Sequence, residues 1–138
     1  MYLVDTNVIS EFRKGERSHP GAVRFLRAVD PNDLYLSVQT LGEIRKGVEI
    51  IRLRGDLPQA LRLEEWLEMI TLTYADRILD FDHECAQMWG RLMAQSPHHP
   101  IDRQIAAIAL LYNFTVVTRN VADFAGTSVG LLNPFVDN

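Results

Sequence analysis

Near its start the chain has the sequence Tyr-Leu-Val-Asp-Thr-Asn-Val-Ile over residues 2–9, in which an apolar run meets three polar residues and then resumes. The first apolar run predicts a short buried strand, and the polar residues predict a turn into a helix that carries Val8, Ile9 and Phe12. In open parallel α/β sheets, functional crevices lie beyond the carboxyl ends of the strands. Asp5, which directly follows the first strand, is therefore a candidate functional residue.

Strand and helix patterns alternate along the rest of the chain. Apolar residues at helical spacing predict helices over 19–29, 38–53, 57–72, 82–95 and 101–112. Short apolar or β-branched runs predict strands at 34–36, 78–81, 115–118 and 129–132. This alternation predicts an α/β fold with a central, mostly parallel sheet of four or five strands, flanked by helices on both faces.

Length and composition favour one ordinary globular unit. The 138 residues suit a single domain, which we expect to span 1–138. Hydrophobic residues make up 47% and charged residues 23% of the chain, which excludes a disordered protein. One cysteine, Cys85, provides neither a disulfide framework nor a thiolate metal site. Because we find no signal-like segment and no apolar run of about 20 residues, we expect a cytoplasmic protein without a membrane partner.

The formal charge of −4 is unusual for a protein that binds nucleic acid, because phosphate contacts usually come from a basic surface. The chain has 14 Lys and Arg residues against 18 Asp and Glu residues. If four acids bind one metal ion, the other 14 acids equal the 14 bases, and the ion places positive charge where a phosphate would bind. The acidity therefore does not exclude a nuclease.

Four acidic residues occupy positions that the predicted fold could bring together. Asp5 follows the first strand, and Asp123 comes a few residues after the strand at 115–118. Asp102 begins the apolar helix before that strand, where the helix dipole favours an ionised carboxylate. Glu43 interrupts an otherwise apolar helical pattern.

Carboxylates gathered in one pocket raise each other's pKa and need a counter-charge if all are to stay ionised. A divalent cation supplies that charge, and oxygen ligands without Cys or His suit Mg²⁺ or Mn²⁺. Such an ion can position phosphate oxygens and activate a water molecule for in-line attack. The pattern therefore indicates phosphodiester hydrolysis.

Each acid also has an ordinary structural interpretation. Asp5 is a good N-cap for the first helix, and Asp102 can neutralise a helix N-terminus. Glu43 can extend into water or pair with Lys46 or Arg45, and Asp123 can end a turn. Composition and spacing alone leave both interpretations open.

Four segments, taken together and in order, resemble the PIN-domain family, in particular its VapC and FitB-like toxins. They are Val4-Asp5-Thr6-Asn7-Val8-Ile9-Ser10-Glu11, Gly42-Glu43-Ile44-Arg45-Lys46-Gly47, Asp102 with Ile105-Ala106-Ala107, and Thr115-Val116-Val117-Thr118-Arg119-Asn120-Val121-Ala122-Asp123-Phe124. The resemblance runs from residue 2 to about residue 134.

The resemblance implies a PIN fold and a Mg²⁺- or Mn²⁺-dependent endoribonuclease that acts as the toxin of a type II toxin–antitoxin module. It also implies an RNA substrate, a homodimer, and a cognate antitoxin that is itself DNA-binding. The catalytic and metal-binding roles fall on Asp5, Glu43 and Asp102. Some relatives place the fourth acid where Asn120 stands in this chain, and we assign that role to Asp123 instead.

Four further residues are expected to support these acids. Thr6 and Asn7 are expected to orient Asp5 and to cap the first helix. The hydroxyl of Thr118 is expected to support the site, and Asn120 to contact a water molecule or a metal ligand.

Two other patterns are interpreted as loops. The segment 126–130, Gly-Thr-Ser-Val-Gly, matches the G-x-S-x-G pattern of serine hydrolases, but it precedes a strand and no His follows Ser128. The adjacent His98 and His99 could ligate a metal, but they point in different directions and have no third partner in sequence, so we expect them in a solvated loop.

Two functions compete with the ribonuclease hypothesis. In the first, the chain mainly dimerises a DNA-binding regulatory complex in which the antitoxin contacts the operator. In the second, it is a haloacid-dehalogenase-like phosphatase, a class that also places an Asp after its first strand. Such phosphatases commonly carry a second acid two residues later, where this chain has Asn7.

Overall fold

The computed structural model describes residues 1–136 and contains a five-stranded sheet. Residues 137 and 138, which belong to the single-domain prediction for 1–138, lie outside the described residues. The strands are β1 (Tyr2–Val4), β2 (Leu34–Ser37), β3 (Ile78–Leu79), β4 (Thr115–Val117) and β5 (Leu131–Leu132). Their order is β3-β2-β1-β4-β5, and every neighbouring pair is parallel. The predicted α/β fold with a mostly parallel sheet is therefore confirmed.

Helices connect the strands and cover the sheet. Within residues 1–136 the α-helices are α1 (Thr6–Ile9), α2 (Pro20–Ala28), α3 (Val38–Leu53), α4 (Leu57–Thr73), α5 (His83–Gln95) and α6 (Pro100–Tyr112). Short 3-10 helices occupy Ser10–Arg17, Pro31–Asp33 and Val121–Phe124. Over this part of the chain, every helix is too short or too polar to cross a lipid bilayer.

The central strands β1 and β4 are buried on both faces, as expected inside a parallel sheet. Alternate side chains of a strand point to opposite faces, so Leu3 and Val116 enter a cluster with α5 and α6. Val4 and Val117 point the other way, into a cluster with α2, α3 and α4. All four of these side chains are at most 1% exposed. The two clusters fix the register of β1 and β4 and hence the position of the residues that follow them.

Because β1 lies in the middle of the sheet, its carboxyl end adjoins the ends of β2 and β4. The backbone N–H of Asp5 donates to the carbonyl of Val117 at 2.9 Å, which continues the ladder one residue beyond β1. Ser37 ends β2 and its side chain caps α3 by accepting from the Thr40 N–H. The polar residues that follow the strands are thus brought to one edge of the sheet.

Three predicted elements differ from the structure at their ends. The first helix is α-helical only to Ile9 and continues as a 3-10 segment with a kink at Gly15, where φ is 59°. Phe12 is therefore not on a buried helix face as predicted but is 46% exposed. The strands predicted at 78–81 and 129–132 shrink to two residues each, because both are edge strands with one pairing partner.

Candidate active site

The carboxyl ends of β1 and β4 carry a connected set of polar side chains centred on Asp5, which is 5% exposed. One carboxylate oxygen, Oδ1, accepts from the backbone N–H of Thr6 at 2.8 Å. The other, Oδ2, accepts from the Thr118 hydroxyl at 2.8 Å and from the Asn7 amide at 3.4 Å. We call Asp5, Thr6, Asn7 and Thr118 the Asp5 network. Its hydrogen bonds hold the buried carboxylate in one orientation.

Thr118 is the junction between the two strand ends. Its hydroxyl donates to Asp5 and accepts from the Asn7 amide at 3.3 Å and from the backbone N–H of Asn120 at 3.1 Å. The Asn7 side-chain oxygen in turn accepts from the backbone N–H of Arg119 at 3.0 Å. Asn120 takes part through its backbone, and the residue itself is exposed. The fully buried Thr118 hydroxyl therefore has one acceptor and two donors around it.

Glu43 approaches the Asp5 network from α3. The Thr6 hydroxyl donates to Glu43 Oε1 at 3.0 Å, so Thr6 contacts both acids, one through its N–H and one through its side chain. Partial burial of the carboxyl group raises the pKa of Glu43, the Thr6 hydrogen bond lowers it, and the negative charge of Asp5 raises it further. Arg45, a pairing partner considered from the sequence, contacts Glu64 and Glu49 instead.

Asp102 lies in the first turn of α6 and faces the other three predicted acids. Its pKa is raised to about 6, first by burial and then by the charges of Asp5, Asp123 and Glu43, while His99 lowers it. Burial also raises the pKa of Asp5 above its ordinary value, against the lowering effect of its hydrogen bonds. The structure therefore brings Asp5, Glu43, Asp102 and Asp123 within electrostatic reach of one another.

Asp123 lies on the 3-10 helix Val121–Phe124 and meets His99 at the opening of the site. His99 Nε2 is 3.5 Å from Asp123 Oδ1, and one potential ligand atom from each of His99, Asp102 and Asp123 lies within 4.8 Å of the others. We call His99, Asp102 and Asp123 the loop cluster. The side chains of His99 and Asp123 are 50% and 33% exposed, so this cluster faces solvent.

His99 lies in the exposed loop before α6, as predicted, but its ring is close to two acids, Asp102 and Asp123. The residue has a left-handed backbone, with φ of 52°, immediately before Pro100, and this turn directs the ring to Asp123. The only signal in the sequence is that a His stands three residues before Asp102, at the start of a helix. Its backbone conformation depends on contacts with distant residues, which the sequence pattern did not reveal.

Arg103 was also overlooked in the sequence, and it holds the loop cluster together. Its guanidinium is almost completely buried and donates to the carbonyls of Asp123 at 3.2 Å and Ala125 at 3.1 Å. It also donates to the Ser96 hydroxyl at 2.9 Å. Arg103 therefore anchors the segment that carries Asp123 to the loop that precedes α6.

The donors at this edge of the sheet fit a divalent cation. Carboxylates whose pKa is raised by burial and mutual repulsion are destabilised as anions, and a bound cation would relieve that cost. Oxygen donors converge from β1, α3, α6 and the 3-10 helix, with one imidazole beside them. A hydrolytic reaction at a phosphate group is chemistry that such a set supports.

Comparison with protein families decides between the interpretations of this fold. The model of the PIN domain matches residues 2–127. The chain belongs to the PIN-domain family. The resemblance inferred from the four sequence segments is thereby confirmed.

Curated relatives of this PIN domain match it over almost their whole length. The plasmid stability protein StbB of Pseudomonas syringae pv. tomato is 34% identical, with 98% of this chain and 99% of the relative covered. The toxin FitB of Neisseria gonorrhoeae is 33% identical, with 99% and 100% covered. The VapC ribonuclease Y4jK of Sinorhizobium fredii is 30% identical, with 98% of both covered.

Solved structures show the same PIN architecture. A structure of FitAB bound to a DNA fragment has a TM-score of 0.83 at 31% identity and covers 100% of this chain and 98% of that chain. A toxin–antitoxin complex from Klebsiella pneumoniae has a TM-score of 0.73 at 25% identity, with 97% and 98% covered. The PIN-like fold class expected from the sequence is confirmed.

The G-x-S-x-G segment of this PIN domain lies in a loop, as predicted. Ser128 is exposed with φ of 62°, and β5 follows it rather than a helix. A serine-hydrolase elbow requires a helix directly after the nucleophile. The segment therefore does not form a second hydrolytic centre of that type.

Proposed function

We propose that this chain is a Mg²⁺- or Mn²⁺-dependent endoribonuclease and the toxin of a type II toxin–antitoxin module. The observation that carries the proposal is the convergence of Asp5, Glu43, Asp102 and Asp123 at the carboxyl edge of the sheet, where burial and the charges of the other three acids raise the pKa of Asp102. Two relatives also support the proposal, because one is named a VapC ribonuclease and another the toxin FitB.

In this proposal the four acids hold the divalent ion, and residues 1–138 act as a single PIN domain in the cytoplasm. When bound, the ion supplies Lewis-acid stabilisation of a phosphate and a water molecule of lowered pKa. Oxygen-rich ligand sets of this kind suit Mg²⁺ and Mn²⁺.

The residues around Asp5 have different roles in this proposal. The Asp5 network keeps one carboxylate oriented away from solvent, because Thr6, Asn7 and Thr118 donate to its oxygens and still leave a lone pair on Oδ1 for the ion. Thr6 also joins Asp5 to Glu43, so that the two acids keep a fixed relation. Asn120 supports the site through its N–H bond to Thr118.

In this proposal the substrate reaches the site from the side of the loop cluster. Asp102 and Asp123 are partly exposed, whereas Asp5 lies beneath them at the end of β1. A phosphodiester of single-stranded RNA would therefore approach from the side of α6 and the 3-10 helix. Negative side chains repel a phosphate, so binding of the RNA depends on prior binding of the cation.

The partners of the proposed toxin are an RNA substrate, a second copy of the chain and a cognate antitoxin. The Klebsiella pneumoniae relative is described as a toxin–antitoxin complex. The FitAB relative was solved bound to DNA, which favours the second candidate function, a subunit of a DNA-binding regulatory complex at an operator. The two functions are compatible, because an antitoxin can contact DNA while it inhibits the nuclease.

Cleavage of RNA by the purified, antitoxin-free protein tests the first function. We expect cutting of single-stranded RNA with Mg²⁺ or Mn²⁺, none in EDTA, and loss of cutting in Asp5→Asn and Asp102→Asn. Asp76→Asn is the matched control, because Asp76 is 81% exposed and pairs only with the neighbouring Arg77 among the contacts described. Equal cutting by all three variants would refute the assignment.

The competing functions give different results with the same preparations. Protein that is inert toward RNA but shifts operator DNA when mixed with its antitoxin would favour the regulatory function alone. Hydrolysis of a generic phosphomonoester without RNA cleavage would favour the phosphatase.

A further inference from the structure

His99 lies close enough to two of the acids to share an ion with them. Its Nε2 is 3.5 Å from Asp123 Oδ1, and the potential ligand atoms of His99, Asp102 and Asp123 lie within 4.8 Å of one another. Ligand atoms around one ion at about 2.1 Å are roughly 3 to 4.3 Å apart, depending on whether they are adjacent or opposite. Small rotations of these partly exposed side chains therefore suffice to close the set.

The backbone holds the imidazole in this place. His99 is left-handed, with φ of 52° and ψ of 61°, although a residue before proline is normally extended. Its carbonyl accepts from the Arg103 N–H at 3.0 Å, which joins it to the first turn of α6. The Arg103 guanidinium meanwhile connects Ser96 to the carbonyl of Asp123. The loop that carries His99 is thus tied to the segment that carries Asp123.

An imidazole changes which ion the site prefers. Mg²⁺ favours oxygen ligands and keeps much of its hydration, whereas imidazole nitrogen is a common ligand of transition-metal ions. Mn²⁺ lies between these classes and accepts both oxygen and nitrogen donors. A site with carboxylates and one nitrogen should therefore discriminate against Mg²⁺.

We propose that His99 is a nitrogen ligand of the divalent cation, together with Asp102 and Asp123, and that it shifts the preference of the site from Mg²⁺ toward Mn²⁺. This inference rests on the proposed function, because it uses the same cation site. The alternative is that His99 only forms an ion pair with Asp123 and ends the loop before α6.

Two variants separate a metal-binding role of His99 from a role in the conformation of its loop. Asn tolerates the left-handed backbone of His99 but places no atom at the position of Nε2, so His99→Asn removes the donor and keeps the turn. His99→Gln reaches nearly as far and offers oxygen instead of nitrogen. His98→Asn is the matched control, since His98 is the exposed neighbour and is not grouped with the acids.

Mn²⁺ alone is the probe, titrated into the full chain and followed by electron paramagnetic resonance. We expect nitrogen hyperfine coupling on bound Mn²⁺ in the wild type and in His98→Asn, and its loss in both His99 variants. We expect His99→Asn to bind Mn²⁺ about tenfold more weakly while its Mg²⁺ affinity, measured by competition, changes less than about twofold. His99→Gln should regain part of the Mn²⁺ affinity without the nitrogen signal.

The outcomes distinguish this inference from the proposed function. Wild-type protein that binds Mn²⁺ without nitrogen coupling, or His99→Asn that keeps both coupling and affinity, would overturn the role of His99 and leave the nuclease proposal intact. Failure of the wild type to bind Mn²⁺ or Mg²⁺ would overturn both. If a variant does not fold, isotopic labelling of histidine in the wild type still decides, because only a histidine ligand would change the coupling pattern.

Discussion

The two sides of the acidic site are built differently. In the Asp5 network, a buried carboxylate at the end of the central strand accepts hydrogen bonds from Thr6, Asn7 and Thr118. In the loop cluster, His99 and Asp123 are partly exposed and lie 3.5 Å apart, and a buried arginine holds their backbone rather than their side chains. The strand ends therefore provide fixed geometry, whereas the loop side can adjust to what binds.

The largest effect expected is from Asp5→Asn. Loss of this proposed ligand should reduce RNA cleavage by more than about 100-fold, beyond the loss typical of a residue that only supports a ligand. The same change removes a buried charge but turns one oxygen that accepts hydrogen bonds into a donor, so these effects oppose each other and stability in EDTA at neutral pH should change little. Cleavage rates and urea unfolding measure the two effects, and a strongly destabilised variant would contradict the second.

Arg103→Met should disturb the loop cluster and spare the Asp5 network. The change removes charged donors from the Asp123 and Ala125 carbonyls and from Ser96, which should cost about 2 kcal/mol of unfolding free energy. Mn²⁺ affinity should fall with it. Denaturant unfolding and metal titration provide the measurement, and Arg103→Lys, which keeps the charge but not the fork, should be intermediate. Unchanged metal affinity would show that the loop needs no anchor.

Thr118→Val tests the Asp5 network by replacing one hydroxyl with a methyl group. It removes one of the three donors to Asp5 and takes one acceptor from the Asn7 amide and from the Asn120 N–H, so we expect about 1 kcal/mol of destabilisation and roughly tenfold slower cleavage. Thr118→Ser keeps the hydroxyl and is the control. Full activity of the Val variant would mean that the orientation of Asp5 does not depend on this bond.

The smallest effect expected is the pH dependence of metal binding. Burial and the neighbouring acids raise the pKa of Asp102 from its ordinary value of 3.8 to about 6 in the folded, metal-free protein, so protons compete with the ion in weakly acidic solution. Mn²⁺ affinity should rise by at most about tenfold between about pH 5 and about pH 7. Asp102→Asn should weaken binding and flatten this profile. Calorimetric titration across the range supplies the measurement.

The sign for stability is opposite. Because the folded-state pKa of Asp102 is raised, the folded protein binds more protons than the unfolded chain between about pH 4 and about pH 6. The contribution of this group to stability without metal is therefore complete below that window and is lost as the pH rises through it. Saturating Mn²⁺ should remove the loss, and melting temperatures in EDTA and in Mn²⁺ provide the comparison.

The strand-end side of the site was predictable from the sequence, and the loop side only partly. Asp5 follows a run of apolar residues, and the rule that parallel sheets gather such positions at one edge located it. Its N-cap interpretation holds in the geometry, since Oδ1 accepts from the Thr6 N–H at the start of α1, whereas its metal-binding role stays a prediction. Asp102 was found as an acid at the start of a helix, and Asp123 as an acid a few residues after a strand.

His99 and Arg103 could not be found in the same way. Both act through contacts with residues that are distant in the chain. His99 approaches Asp123 from a left-handed turn. The Arg103 guanidinium donates to the carbonyls of Asp123 and Ala125, some 20 residues away. No periodicity or spacing encodes such contacts. The change from α-helix to 3-10 helix after Ile9 and the kink at Gly15 were also missed, because the apolar pattern continues through Phe12.

The hydrogen bond between Asp5 and Thr118 spans 113 residues of sequence. A ribosome delivers Asp5 almost first and the residues that complete its surroundings almost last. We therefore expect the growing polypeptide to be harmless until synthesis is nearly finished, and a product of a premature stop before β4 to stay inert. For the nuclease proposed above, cleavage would then begin only when the chain is nearly complete.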